Sequence, residues 1–187
     1  LYALVRAKKV RLLFILGASY VFYAHWDWRF LPLIWGSSTV DWLLGHAIAR
    51  AKSEQSRKAW LVGTVILNLG VLGIFKYFNF AVDSWNGIAS VIGVDAATLD
   101  IALRVTLPLG ISFYTFQSMS YAIDVYRGRA KALRNFVDFA CFVSMFPQLV
   151  AGPIVRFSEV ADQLANRAHT LAKFARGVAF FSVGMAK

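Results

Sequence analysis

Cysteine is almost missing: Cys141 stands alone in 187 residues, so no internal disulfide and no thiol metal cluster can form. Its neighbours Ala140 and Phe142 favour a packed core thiol over a nucleophile. Acidic residues are also few, 10 against 20 Lys and Arg. Histidine occurs three times, at His25, His46 and His169. None stands at metal-ligand spacing from another His, Cys or carboxylate, which argues against a metal site. There is no Gly-x-Ser-x-Gly elbow and no Gly-rich phosphate loop, so the commonest signatures of hydrolase and nucleotide chemistry are absent. Internal repeats, low-complexity tracts and soluble linkers are lacking too.

Apolar residues are what the chain has in excess. They make up 58% of it against 16% charged, with mean hydropathy +0.56. Soluble domains run at roughly 45–50% apolar and about 25% charged. This is the composition of an integral membrane protein, with room for about five or six crossings of about 20 residues each. The net charge of +10 then reads as topogenic charge facing anionic lipid, and nucleic acid is not expected as a partner. The chain starts at Leu1 without an initiator Met and stops inside the apolar run 174–186, as a fragment cut at both ends would.

The expected architecture is all-α, a polytopic transmembrane bundle with spans at about 12–24, 30–49, 59–80 and 101–123 and the start of another at 171–187. Arg6, Lys8, Lys9 and Arg11 ahead of the first run also fit a signal peptide, with Gly17-Ala18-Ser19 as a cleavage alternative. The aromatic belt His25-Trp26-Asp27-Trp28-Arg29-Phe30 favours a retained helix. Pro32 falls near the start of the second span, where a missing N–H costs little. Basic clusters at 6–11, 50–58 and 127–134 place those segments in the cytoplasm and the loops at 25–29 and 83–100 outside. The weaker segment 84–94 suits an interfacial helix. Residues 135–153, with Asp138 and Pro147, form either a short crossing or a re-entrant segment; the basic residues after it favour re-entry. Broken backbone at membrane depth must line protein or a water-filled cavity.

Polar groups inside apolar spans are costly and so informative. Tyr114, Gln117, Ser118, Tyr121 and Asp124 share one helical face, which should point into the bundle. Two readings stay open for it: interhelical hydrogen bonding, typically about 0.6 kcal/mol per contact, or a substrate or water path. Asp124 and Arg127, three apart, are placed to pair. Asp41, near Ser37, Ser38 and Thr39, and Asn68 interrupt the second and third spans, and burial against a polar neighbour is their commoner fate. Lys76 reads as a snorkelling cation. His46 is the nearest approach to a membrane-embedded catalytic histidine, but Arg50 one turn later puts it at the interface. No catalytic constellation is visible.

The stretches Leu107-Pro108-Leu109-Gly110-Ile111-Ser112-Phe113-Tyr114-Thr115-Phe116-Gln117, Tyr121-Ala122-Ile123-Asp124-Val125-Tyr126-Arg127-Gly128 and 146–156 resemble the membrane-bound O-acyltransferase family. The likeness is strongest to its bacterial alginate O-acetyltransferase branch, with teichoic-acid D-alanyl transferases and peptidoglycan O-acetyltransferases as relatives. Ser38-Thr39-Val40-Asp41-Trp42-Leu43-Leu44-Gly45 and Phe75-Lys76-Tyr77-Phe78-Asn79-Phe80 agree with it.

The resemblance implies a many-helix protein of the bacterial inner membrane. It would move an acetyl group from a cytoplasmic donor, acetyl-CoA or an acyl carrier, to hydroxyls of an exported polysaccharide. Membrane lipid, the polysaccharide and an accessory periplasmic acetyltransferase or carrier protein are the implied partners, and no bound cofactor is expected. The family's essential histidine lies in its second half, so no catalytic residue is assigned in this chain. Candidate tunnel residues are Tyr114, Gln117, Tyr121, Asp124, Pro147, Gln148, Gly152, Pro153 and Arg156. A transporter fragment or a non-catalytic scaffold of a polysaccharide-modifying complex are the alternatives.

Overall fold

The computed structural model describes residues 8–93, 105–151, 156–160 and 170–186. Among the described residues all regular structure is helical, as the sequence predicts. Helix α1 runs Lys8–Asp27 and α2 Leu31–Arg50, joined by the 3₁₀ turn Trp28–Phe30. Asp27 organises that turn: its carboxylate accepts the Arg29 amide at 3.0 Å and the Arg29 guanidinium at 3.1 Å. Pro32 sits in the first turn of α2, where no intrahelical donor is lost.

Helix α3, Glu54–Ile92, spans 39 residues, about 58 Å at about 1.5 Å per residue. Ser53 caps it by accepting the Ser56 amide at 3.1 Å, and it ends at Gly93 in the left-handed region, φ 74°. The expected break after Phe80, with a separate interfacial helix at 84–94, is therefore corrected: one helix runs through both. A falling apolar content ends a membrane crossing but not a helix. No proline interrupts 54–92, and single glycines cost only about 1 kcal/mol. Among the described residues α3 alone is long and apolar enough to cross a membrane.

Helix α4, Ile111–Tyr126, starts ten residues later than the expected span at 101. Pro108 disfavours helix in the residue before it, and the lead-in is held another way. The Asn79 side chain donates to the Val105 carbonyl at 2.8 Å and accepts the Val105 amide at 3.0 Å, as a neighbouring strand would. Gly110 then takes φ 71° to start α4. Residues 101–104 lie outside the described chain.

Helices α5, Phe136–Ser144, and α6, Phe146–Ala151, meet at a break on Met145. Ser19 of α1 accepts the amide freed there, Phe146 N, at 3.3 Å. From its start the chain leaves the Tyr121 end of α4, where Leu133 N donates to Tyr121 Oη at 3.2 Å. It reaches the far end, where Leu149 packs on Gly110. It is back at the near end by Ser158, whose amide donates to Asp124 at 2.9 Å. The chain doubles back along α4. Helix α7, Leu171–Met185, has no buried residue.

Helix α2 is central, touching α1, α3, α4 and α5. Its inward stripe of Ile34, Ser38, Asp41, Gly45 and Ile48 follows the helical repeat. The surface departs from that of a soluble domain while the interior keeps an apolar core with polar groups among it. Outward positions carry Val21, Trp26, Trp28, Trp35, Ile66, Ile74 and Phe80, while Ser38, Asp41, Thr64, Asn68, Thr115, Gln117 and Ser118 are buried.

Candidate functional site

Buried polar side chains gather on the facing sides of α2, α3 and α4, with Tyr23 of α1 near Tyr114. Asp41 on α2 is 1% exposed. One of its oxygens accepts Asn68 Nδ2 of α3 at 2.6 Å, and the same nitrogen reaches the Thr64 carbonyl at 3.1 Å. Ser118 of α4 lies against the same carboxyl. Burial against a polar neighbour, expected for Asp41 and Asn68, is realised by each for the other.

The rest of the cluster is unusual for what it leaves unmade. The second oxygen of Asp41, the hydroxyls of Ser38, Tyr20, Tyr23 and Tyr114, and both amide atoms of Gln117 are buried without a hydrogen-bond partner among the described residues. Native interiors leave few such atoms, because each costs about 1–3 kcal/mol. Tyr114 lies within electrostatic range of both Tyr23 and Asp41, and Ser38 precedes Asp41 by one turn of α2. Tyr23, Tyr114, Ser38 and Asp41 thus lie near one another, whereas Tyr20 lies toward Cys141 of α5.

The predicted polar stripe of α4 does face inward: Tyr114, Gln117, Ser118, Tyr121 and Asp124 are all buried. The structure divides it in two. Tyr114 and Gln117 keep free polar atoms at the Asp41 end. Tyr121 and Asp124 are committed to the backbone of Leu133 and Ser158. Asp124 thus takes the Ser158 amide, and the expected Asp124–Arg127 pair does not form; the ion pairs recorded are Arg29–Asp27 and Arg57–Glu54.

Of the other candidates, Pro147 and Arg156 are exposed and Gln148 is half-buried, none of them among the unpartnered cluster. Gly152 and Pro153 lie outside the described residues. His46 is apart as well, its Nδ1 2.9 Å from the Trp42 carbonyl and its ring against the Trp42 indole. Lys76, on α3, is exposed, with its ammonium 5.5 Å from the Tyr77 ring centroid. Tyr23 escaped the sequence reading because it sits beside the aromatic belt, where a tyrosine suggests an interface.

A second feature lies at the other end of α2. The α2–α3 loop and the 127–134 loop close on each other: Trp42 Nε1 donates to the Leu133 carbonyl at 2.8 Å, and Arg57 donates to the Tyr126 carbonyl at 2.6 Å. Tyr126 in turn donates to Glu54 at 2.6 Å. Between them is an open cavity of about 600 Å³ whose lining includes Lys52, Glu54, Arg57 and Lys131. Two of the three basic clusters thus share one end of the bundle, and the 25–29 turn lies at the opposite end of α2.

Comparison with known proteins gives the site a context. The chain is 47% identical to a probable alginate O-acetylase of Azotobacter vinelandii over 100% of its own length and 37% of that relative. It is 45% identical to one of Pseudomonas aeruginosa over 96% of its length and 34% of the relative. A peptidoglycan O-acetyltransferase of Helicobacter pylori is 32% identical over 94% of the chain and 37% of that protein. The chain therefore spans about a third of the length of these relatives. No family model and no solved structure matches it.

Proposed function

We propose, from the premise that this chain is a homologue of the bacterial alginate O-acetylases along its whole length, that the full-length protein is a membrane-embedded O-acetyltransferase. It takes acetyl from a cytoplasmic donor, acetyl-CoA or an acyl carrier, to hydroxyls of an exported or envelope polysaccharide, alginate-like in character. The observation that carries this is the identity to relatives named as O-acetylating enzymes, with both polymers in their names being polysaccharides. The transporter and scaffold readings have no relative's name behind them.

The architecture supports the membrane part. Many large apolar side chains face outward while several polar ones are buried beside the apolar core, which suits lipid as the surrounding medium. The helices form a multi-pass bundle of the inner membrane with the basic loops cytoplasmic, and the segment that carries α5 and α6 is its re-entrant element. The basic cavity at Lys52, Arg57 and Lys131 then lies on the donor side, where an acyl carrier or a coenzyme phosphate approaches. A hydroxyl is a weak nucleophile at neutral pH, so transfer needs a general base and carbonyl-oxygen donors. This chain supplies walls for the passage, Tyr114 and Gln117 foremost, and no base is assigned in it.

The test is transfer of labelled acetyl from acetyl-CoA, or from an acylated carrier, to alginate by membranes containing the full-length protein. Polymer-bound, base-labile label above that of membranes lacking the protein is expected. Failure with both donors, while the polysaccharide is exported normally, would overturn the reading.

A further inference from the structure

We infer that the Asp41 cluster is a binding site for one monovalent metal cation of sodium or potassium type. The first argument is charge. Asp41 is 1% exposed, and among the described residues no Lys, Arg or His forms an ion pair with it. Asn68 satisfies one oxygen and is neutral. A buried carboxylate left without a counter-charge is strongly unfavourable, so a positive charge belongs beside the second oxygen.

The second argument is the kind of atom left unpartnered near that carboxyl: Tyr114 lies within electrostatic range of both Asp41 and Tyr23, and Ser38 precedes Asp41 by one turn of α2. Ser38, Tyr114, Tyr23 and Gln117 each bring an oxygen that is buried and unpartnered. Neutral hydroxyl and amide oxygens with a carboxylate are hard ligands, suited to hard cations and not to thiophilic or imidazole-seeking metals. Among the described residues no three His, Cys, Asp or Glu side chains gather. One carboxylate balances a single positive charge and leaves a divalent ion half-neutralised.

A proton on Asp41 answers the charge but not the rest. It adds one donor and leaves most of the hydroxyls and the Gln117 amide unpartnered. A cation, with water completing its shell, draws on oxygens from three helices at once. Such an ion would tie α1, α2 and α4 together at the level where α3 contributes only Asn68. The site shares Tyr114 and Gln117 with the proposed passage walls, but its occupancy needs neither donor nor acceptor and is tested without them.

The experiment uses the full-length protein in lipid nanodiscs, without acyl donor, in sodium, potassium or N-methyl-glucamine chloride at equal ionic strength. Saturable binding of one radioactive sodium or rubidium ion per chain is expected, with a melting temperature that rises with the metal salt and not with N-methyl-glucamine. Asp41→Asn should lose both responses. Ser38→Ala, a small change that leaves the Asp41–Asn68 bond in place, should weaken binding several-fold, so the idea stays testable if Asp41→Asn misfolds. Equal melting in all three salts with no saturable ion binding would overturn it. So would an infrared protonated-carboxyl band that persists in saturating metal salt and disappears in Asp41→Asn.

Discussion

Tyr121 occupies the space that Gly45 leaves on α2. A Cβ built at residue 45 would overlap the ring carbons and hydroxyl of Tyr121, whose oxygen is fixed by the Leu133 amide and whose ring packs on Phe139 and Phe157. Gly45→Ala should therefore destabilise the protein by about 1–3 kcal/mol, the usual cost of overpacking. Gly36→Ala, with nothing within 4 Å of the added carbon, should be neutral or gain up to about 1 kcal/mol of helix propensity. Thermal unfolding of both variants, followed by tryptophan fluorescence, checks the contrast, and equal melting temperatures would contradict it. Asp41 and Asn68 were legible in the sequence because charge and amide are rare in apolar helices. The role of Tyr121 was not, since its partner is a backbone amide on the far side of a loop, and a tyrosine on a polar stripe looks the same whether it lines a path or holds a turn.

At the scale of elements, the joints carry the information that periodicity lacks. Asn79 holds the approach to α4 through two bonds to Val105, so Asn79→Ala removes both and leaves two backbone groups unpaired. A loss of about 1–3 kcal/mol is expected, with faster proteolysis near 105–110. Asn79→Asp, which keeps an acceptor for the amide, should fall in between.

Gly110 and Gly93 make a second comparison. Both have positive φ, but only at Gly110 would an added carbon meet another residue, the side chain and carbonyl of Leu149. Gly110→Ala should cost more than Gly93→Ala, and equal effects in unfolding experiments would sink the packing argument. The turn at Asp27 responds to pH. Hydrogen bonds from the Arg29 side chain hold the Asp27 carboxyl below its ordinary range. Its contribution is thus complete above the unfolded carboxylate pKa and is lost as pH falls through the lower, folded value. Amide protection at Arg29, corrected for intrinsic exchange, should fall in that acid window, be low at all pH in Asp27→Ala, and lose its pH dependence in Asp27→Asn, whose side-chain oxygen still accepts. Composition located these joints only roughly: it marked where α3 loses its apolar character, yet the helix continues until Gly93, and Pro108, not the first apolar residue, decides where α4 begins.

For the whole molecule, the decisive property is a surface rich in large apolar side chains over an interior that buries polar groups beside its apolar core, together with two basic loops drawn to one end. The sequence predicted both, because charge sign and helical repeat are local patterns. For 135–153 it favoured re-entry over a crossing only through the basic residues that follow, since the path itself depends on contacts such as Leu149 with Gly110 and Ser158 with Asp124, which join distant positions. Cys141 makes the arrangement testable. It is fully buried, so a maleimide should leave it unmodified in native membranes and react only after denaturation, and Cys141→Ser provides a clean background. In that background a cysteine at Lys52 or at Arg129, both exposed and at the basic end, should be protected from a membrane-impermeant maleimide in intact spheroplasts and labelled once the membrane is opened. One at Trp28, exposed at the opposite turn, should be labelled in intact spheroplasts. Labelling of Lys52→Cys and Trp28→Cys from the same side would mean that α2 does not cross, and the bundle would then lie on the membrane with its apolar face in the lipid.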